Sequence, residues 1–375
     1  MVAPKTQNPG IKVPLNKIEA MLNDPKQCAK AISLVYVSDA KEGICRIKKG
    51  KQFSYSLGNK KITDKQILDR IKKLVIPPAW KKVWICQLEN GHLQATGFDA
   101  LNRKQYRYHN LWSSFRNQTK FYRLCEFGKS LPAIRKQINK DLAEPGLSIN
   151  KVLATVISLM EQTSIRVGNK NYEKLYGSFG LTTLKNKHVN IHGDKIQFSF
   201  KGKKGVVHNI TLNNKKLARI AKQCRDIPGK ELFQYYDQEG KHHPIDSGMV
   251  NDYLRAITGK DFTTKDFRTW IGSKTALEAL KKIDLTGTKV QTKNNIIAVV
   301  DEVAEHLGNT RSVCKKYYIH PILLELAERN ELAPYFLKTK KIKASIQKLS
   351  LSTDEKLLLS ILEQELQIPR SSKKS

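Results

Sequence analysis

Residues 309–321 read N-T-R-S-V-C-K-K-Y-Y-I-H-P and place two adjacent tyrosines, Tyr317 and Tyr318, directly after two lysines. A phenol has a pKa of about 10 and is a poor nucleophile at neutral pH unless nearby cations stabilise its phenolate. The pattern predicts a helix over about 310–330, on which adjacent side chains diverge by about 100°, so only one tyrosine can face a phosphate. Spacing alone does not choose between them, and the ordinary alternative is a tyrosine that packs at an interface.

Three cationic motifs lie upstream of this stretch: R-V-G-N from Arg166, F-K-G-K ending in Lys203, and F-R-T-W around Arg268. An arginine can donate two hydrogen bonds to nonbridging phosphate oxygens, and Gly168 would allow a close backbone approach. A lysine on a mobile, glycine-flanked hairpin tip can protonate a leaving 5′-oxygen. Each motif alone is more often a surface cation or a solubilising turn. Together with a tyrosine, they predict an enzyme that cuts and rejoins nucleic acid through a phosphotyrosine.

The charge balance favours the same class of partner. The chain has 375 residues with 67 Lys plus Arg against 34 Asp plus Glu, which gives a formal net charge of +33 at pH 7. This excess is larger than solubility requires and favours a polyanion, most often nucleic acid. The plain alternative is a basic solvated surface. An acidic membrane surface is disfavoured, because no long basic amphipathic helix is evident.

Composition and motifs also bear on compartment and cofactors. The six cysteines form no C-x-x-C pair and have no histidines at zinc spacing, so neither a metal site nor a disulfide framework is predicted. The N-terminus lacks the apolar core of a signal peptide, and no apolar run of about 18 residues occurs. A G-x-x-x-x-G-K-[ST] motif and a carboxylate cluster for two metals are also missing. We therefore expect an intracellular, cytoplasmic protein, nucleoid-associated if bacterial, that needs no cofactor and does not bind membranes.

The periodicities predict an α+β fold, with a small mixed β-rich N-terminal domain and a larger, mainly helical catalytic domain that includes a short β-meander. A composition shift near residues 110–117 places the first domain at 1–113, with a flexible arm over 1–15, the catalytic domain at 114–335 and a C-terminal helical tail at 336–375. Expected strands are 53–57, 83–88, 92–98 and a meander over 188–212. Expected helices are about 17–34, 63–74, 111–126, 131–143, 149–163, 169–176, 213–224, 246–257, 266–282, 292–306, 310–330 and 353–367.

A polar run near the end of the first domain interleaves basic, amide and aromatic residues as R-K-Q-Y-R-Y. Glutamine can read an adenine edge with two hydrogen bonds, whereas basic side chains and tyrosine hydroxyls suit phosphates. By contrast, Trp80 and Trp84 are expected in the core. The candidate DNA contacts are Arg103, Lys104, Gln105, Tyr106 and Tyr108.

These motifs, in this order, resemble the type IB DNA topoisomerases, in particular their compact bacterial and poxvirus-like branch. The resemblance runs from about residue 36 to residue 321. In that family the nucleophilic tyrosine is followed by Ile or Val, His and Pro, which implies Tyr318. The family's two catalytic arginines fall on Arg166 and Arg268, and its general-acid lysine falls on Lys203.

The resemblance implies two further sets of positions. The family's Gln-Tyr-x-Tyr element, which contacts bases and phosphates, matches Gln105, Tyr106 and Tyr108. Asn309 stands nine residues before Tyr318, where the poxvirus enzyme carries a histidine. An amide can still donate to a nonbridging oxygen, but it offers no full charge and does not titrate near neutrality. Asn309 is therefore included among the candidate catalytic residues.

The activity implied by the resemblance is relaxation of supercoiled double-stranded DNA by a monomer, through a nick, a 3′-phosphotyrosyl bond, strand rotation and religation. ATP is not needed, because the covalent bond retains the energy of the phosphodiester. The chief alternative is a tyrosine site-specific recombinase, whose catalytic domain shares the Arg, Lys and Tyr arrangement. The β-rich N-terminal domain and the F-K-G-K hairpin argue against it. A noncatalytic DNA-packaging protein would explain the charge but not the ordered motifs.

Overall fold

The computed structural model describes residues 24–50, 52–100, 102–284, 287–339 and 350–365. The arm expected over residues 1–15 and the basic R-S-S-K-K-S end lie outside these ranges. The chain forms two compact units, Met1–Tyr122 and Arg123–Ser375. The three-part domain division stays a prediction. Its first boundary, after residue 113, and the division between the two units both fall within one helix, Asn110–Asp141.

An antiparallel sheet dominates the first unit. Its strands are β1 Ile44–Lys49, β2 Gln52–Leu57, β3 Lys60–Lys61, β4 Lys81–Ile85, β5 Leu93–Phe98 and β6 Lys104–Tyr108. They lie in the order β3-β2-β1-β4-β5-β6, so β6 is at an edge. Ile44 pairs with Leu57 of β2 on one side and with Ile85 of β4 on the other. Apolar residues of the sheet and of helix α2, Lys65–Lys73, form one core: Ile44, Ile71, Val83, Ile85 and Ala95.

Pro25 begins the first described helix, α1 Pro25–Ala31. Residues 17–23 of the helix expected over 17–34 lie outside the described residues. A proline suits this position because its missing N–H would have no partner within the helix. The carboxylate of Asp24 accepts a hydrogen bond from the Lys26 backbone N–H at 2.8 Å and caps the helix. Of the two tryptophans expected in the core, Trp80 packs partly buried against the sheet core. Trp84 is partly buried and donates its indole N–H to the Lys41 carbonyl at 2.9 Å.

The second unit is mainly helical and includes two small antiparallel sheets. One is the meander β7-β8-β9, which confirms the expected meander, and the other is the pair β10-β11. None of the helices in the described ranges is long and apolar enough to cross a membrane. The strands are β7 Val189–His192, β8 Lys195–Lys201, β9 Val207–Asn213, β10 Gln234–Tyr236 and β11 His242–Pro244. The helices are α3 Asn110–Asp141, which begins in the first unit, α4 Ile149–Thr163, α5 Lys170–Tyr176, α6 Lys215–Arg225, α7 Ser247–Thr258, α8 Thr264–Leu280, α9 Lys289–Leu307, α10 Arg311–Tyr317, α11 Pro321–Glu328, α12 Ala333–Thr339 and α13 Thr353–Glu365.

Helix α4 lies at the centre of this unit and packs against α6, α7 and α8. It begins at Ser148, whose hydroxyl accepts from the Lys151 N–H at 3.2 Å, and it ends before Ser164, whose φ of 57° is left-handed. Its apolar face, predicted from helical spacing to be core, is buried as expected: Val152, Leu153, Val156, Ile157 and Met160.

Three of the expected helices differ from the structure. The helices expected at 111–126 and 131–143 form the single helix α3, which continues through Pro132. Proline fits helical φ, and the fully buried neighbours Leu131 and Ile134 offset its missing hydrogen bond. Conversely, the helix expected over 310–330 is divided into α10 and α11, because Pro321 disfavours helical backbone at His320, whose ψ is 125°. Tyr318 therefore follows the end of a helix.

Candidate active site

A loop directly after α4 carries Arg166. The Arg166 carbonyl accepts from the Leu181 N–H at 2.9 Å, and the Val167 carbonyl accepts from the Thr182 N–H at 2.7 Å. Gly180 makes this contact possible, because a Cβ there would lie 2.5 Å from the Arg166 carbonyl oxygen. Residues 166–168 are thus held against the segment 180–182. The glycine allows an approach that any side chain would prevent.

Arg268 lies near the start of α8 and is 4% exposed. The helix start is fixed by a capping box in which the Thr263 N–H donates to the Asp266 carboxylate at 2.8 Å. One terminal nitrogen of Arg268 donates to the Leu307 carbonyl at 2.8 Å, and the other donates to the Ser164 carbonyl. Within the described residues, its Nε is buried without a hydrogen-bond acceptor. Two backbone carbonyls therefore fix the orientation of the guanidinium.

The backbone of Tyr318 rests on the same helix. Ser273 is fully buried, and its hydroxyl donates to the Tyr318 carbonyl at 3.2 Å while accepting from the His320 N–H at 3.0 Å. Gly272 permits the close approach, because a Cβ there would lie 2.7 Å from the Tyr318 carbonyl oxygen. One hydroxyl thus satisfies two backbone groups at the break between α10 and α11. We name Gly272 and Ser273 the tyrosine seat.

Lys203 lies in a short turn between β8 and β9, closed by a hydrogen bond from the Gly202 N–H to the Val206 carbonyl at 2.7 Å. Its ammonium lies 5.7 Å from the centre of the Tyr172 ring. Burial and, next, the charge of Arg166 lower the pKa of Lys203. A lysine whose proton is held less tightly is a better acid toward a leaving alkoxide than an ordinary surface lysine.

The side chains of Tyr318, Arg166, Arg268 and Lys203 line a single cavity of about 350 Å³. The centre of the Arg268 guanidinium lies 5.2 Å from the centre of the Tyr318 ring. Burial and, next, the charge of Arg268 lower the pKa of Arg166 to about 10, which the tyrosine opposes. Two desolvated cations in one cavity favour a bound anion.

Asn309 lies behind this cavity and contacts Arg166. A terminal nitrogen of Arg166 donates to Asn309 Oδ1 at 2.6 Å, whereas Asn309 Nδ2 lies 3.4 Å from the Leu307 carbonyl. Because a guanidinium only donates, the amide must present its oxygen to Arg166. Asn309 therefore orients a cation in this structure, and its own donor faces the backbone.

Three positions in this region were not predicted. His208 on β9 packs between Gly202 and Gly308, since a Cβ at either glycine would lie 2.6 Å from the imidazole. The ring thus connects the Lys203 turn with the segment that carries Asn309, and no motif indicated this. The tyrosine seat lies one residue after the F-R-T-W motif, so its G-S pair was a signal in the sequence that could have indicated it.

The five candidate DNA contacts lie in the first unit, on or beside β6. Arg103 and Gln105 both bond to the Asp99 carboxylate, with Arg103 Nε at 2.6 Å and Gln105 Nε2 at 2.9 Å. Lys104 pairs with Asp39 at 2.5 Å. The exposed rings of Tyr106 and Tyr108 stack with centroids 6.0 Å apart. The two tyrosines present an open aromatic surface, whereas the other three side chains have intramolecular partners.

Comparisons with known proteins agree with these motifs. The model of the eukaryotic DNA topoisomerase I catalytic core matches residues 109–348, and that of the bacterial DNA topoisomerase IB N-terminal domain matches residues 52–99. DNA topoisomerase 1B of Acanthamoeba polyphaga mimivirus is 35% identical over 302 residues, covering 77% of this chain and 88% of the viral protein. DNA topoisomerase 1B of Vaccinia virus (strain Copenhagen) is 26% identical over 247 residues, covering 65% and 75%.

These matches confirm the predicted resemblance and the predicted α+β fold class. The catalytic-core model spans well over half of the chain, and the mimivirus protein aligns over most of both sequences. The chain therefore belongs to the type IB DNA topoisomerases, a family of isomerases, and to their compact form.

Proposed function

We propose that this protein relaxes supercoiled double-stranded DNA as a monomer, without ATP or a metal ion. One strand is cut through a 3′-phosphotyrosyl intermediate, the cut strand rotates, and the nick is resealed. The observation that carries the proposal is that Tyr318, Arg166, Arg268 and Lys203 line one cavity.

In the proposed reaction, the Tyr318 hydroxyl loses its proton to solvent, and its oxygen attacks the scissile phosphorus, so that the new P–O bond forms as the bond to the 5′-oxygen breaks. Arg166 and Arg268 stabilise the extra negative charge on the nonbridging oxygens. Burial makes this stabilisation effective, because fixed donors in a desolvated site need no reorganisation during the reaction. The place of both arginines among the residues that line the cavity supports this role.

Lys203 is proposed to give its proton to the departing 5′-oxygen and to take it back when the strand is rejoined. Its position in the cavity wall and its lowered pKa support this assignment. Religation is the exact reverse: the 5′-hydroxyl attacks phosphorus, the bond to Tyr318 breaks, and no phosphodiester energy is lost to water. This conservation is why no nucleotide is consumed.

The first unit is proposed to contact DNA through Tyr106, Tyr108 and Gln105. Exposed tyrosine hydroxyls can donate to phosphates, and a glutamine can read a base edge. Arg103 and Lys104 are proposed to contribute after exchanging their carboxylate partners for phosphate oxygens. Surface ion pairs of this kind are weak, so such an exchange costs little.

Asn309 is proposed to act by holding Arg166. We expect Asn309→Ala to lower single-turnover cleavage by about 10- to 100-fold, because a hydrogen bond to a charged group contributes about 1.5–3 kcal/mol. Arg166 would keep its longer contact to the Gly308 carbonyl, so the loss should be smaller than for Arg166→Ala. Asn295→Ala is the matched control, because that amide donates to the Asp284 carbonyl at 2.9 Å and Asn295 is not among the residues that line the cavity. An unchanged rate in Asn309→Ala would exclude the role.

Plasmid relaxation tests the proposed function as a whole. Supercoiled plasmid incubated with the protein in EDTA, without nucleotide, is expected to yield a ladder of relaxed topoisomers. Strict dependence on a divalent metal or on ATP would contradict the proposal. Joining of paired sites between two DNA molecules, without a ladder, would indicate the recombinase alternative.

A further inference from the structure

The C-terminal helix α13 contributes a buried carboxylate to the second unit. Glu355 is 4% exposed. Its Oε1 accepts from Arg135 Nη2 at 2.7 Å and from Trp270 Nε1 at 3.2 Å, and its Oε2 accepts from the Ser352 N–H at 2.8 Å. These partners lie on α3, on α8 and at the start of α13. One side chain thus links the C-terminal helix to the helix that carries Arg268.

Arg135 completes a charged network around this carboxylate. It also bonds to Glu161 of α4 at 2.6 Å and to the Ser350 carbonyl at 3.1 Å. Burial alone would raise the pKa of Glu355, but the hydrogen bond and charge of Arg135 lower it to about 2. The carboxylate therefore stays ionised at neutral pH. Removing one charge from such a buried network leaves its partner uncompensated.

Trp270 connects the Glu355 carboxylate to helix α8. The indole is 2% exposed and lies against Gly128 of α3, where a Cβ would be 2.4 Å from the ring. Its N–H is fixed by Glu355 on the other side. Arg268 lies two residues before Trp270 on the same helix, and its guanidinium depends on two backbone carbonyls for its orientation. A small displacement of α8 would therefore move Arg268 relative to those carbonyls.

We propose that Glu355 is a positioning residue for Arg268. Helix α13 would then contribute to catalysis although it follows Tyr318 in the sequence. The inference rests on the proposed function, because it assumes that Arg268 contacts the scissile phosphate. It assigns to the C-terminal segment a role that no motif indicated. Glu355 acts through Trp270 and α8 and does not contact DNA.

The first test compares two conservative variants on the full chain. Glu355→Gln removes the charge and Trp270→Phe removes the indole N–H, and both should lower single-turnover cleavage at saturating protein by roughly 10- to 100-fold, as a displacement of about 1 Å does. DNA affinity should be unchanged. Glu363→Gln is the matched control, because Glu363 lies on the same helix but pairs with Lys129 of α3 at 3.5 Å. We expect that variant to cleave at the normal rate.

A double-mutant cycle separates positioning from general stabilisation. If Glu355 acts through Arg268, Glu355→Gln should slow cleavage no further in an Arg268→Ala background. Full additivity, or a normal rate in folded Glu355→Gln or Trp270→Phe, would overturn the inference. If Glu355→Gln fails to fold, Trp270→Phe takes its place in the same double-mutant cycle with Arg268→Ala. If Arg268→Ala cleaves slowly but Trp270→Phe cleaves at the normal rate, this inference alone is overturned. If Arg268→Ala cleaves at the normal rate, the proposed role of Arg268 is rejected as well.

Discussion

Tyr318→Phe is expected to abolish both covalent attachment to DNA and plasmid relaxation, while DNA binding persists. The substitution deletes only the hydroxyl that is proposed to attack phosphorus, and the tyrosine seat holds the backbone of this residue independently of the ring. The measurement is transfer of a labelled DNA strand to the protein in denaturing gels, with DNA affinity determined in parallel. No covalent complex should be detectable.

Tyr317→Phe is the matched control, because it removes the neighbouring hydroxyl and leaves the cavity intact. Tyr317 is the last residue of α10 and is 40% exposed, and the Lys316 ammonium lies 5.3 Å from the centre of its ring. It is not among the residues that line the cavity. We expect this variant to retain substantial activity. Recovery of the nucleotide on Tyr317, from a nuclease-trimmed complex of the unmodified protein, would refute the assignment.

Lys203→Ala is expected to cleave ordinary DNA very slowly but to recover most of its rate on a 5′-bridging phosphorothiolate substrate. A general acid matters in proportion to the basicity of the leaving group, and a thiolate leaves without needing a proton. In the unmodified protein, cleavage of ordinary DNA should fall as pH rises through the Lys203 pKa, because the acid must be protonated. That fall should begin below the value of about 10.4 for an ordinary lysine, since the cavity lowers the pKa.

Arg166→Ala is the control for this substrate. Loss of one transition-state donor should slow cleavage by roughly 10²- to 10³-fold. The sulfur leaves the nonbridging oxygens unchanged, so this variant should gain much less from it than Lys203→Ala. Equal rescue of both variants, or no rescue of Lys203→Ala, would reject the acid role. The neighbouring lysines of the turn, Lys201 and Lys204, would then be tested.

Local patterns were sufficient for most of the fold. Helical spacing predicted α4 and its buried face, and alternation with turn residues predicted the meander that carries Lys203. Strands β1 and β6 were missed because Lys and Arg make them polar; their strand structure depends on pairing with neighbouring strands. The proline at 321 was visible in the sequence, yet its effect on α10 and α11 was underestimated.

The residues proposed to take part in the reaction were predicted from the sequence, whereas the residues that hold them in place were not. Arg166, Lys203, Arg268 and Tyr318 belong to motifs whose residue types indicate a reaction, and the structure brings all four to one cavity. Their roles remain proposals. By contrast, Ser273 and Glu355 act through partners 45 and 85 residues away in sequence. No local pattern encodes contacts between positions so far apart, so these residues required the structure.

The tyrosine seat has a mechanical consequence. While the cut strand rotates, the proposed phosphotyrosyl bond is the tether that joins one DNA end to the protein, and any pull on that end reaches the Tyr318 backbone. Ser273 and Gly272 pass this load to α8, a buried helix, instead of to a surface loop. We expect Tyr318 held in this way to keep its position while the proposed rotation proceeds. The DNA end bound to it would then stay in place to react with the returning strand.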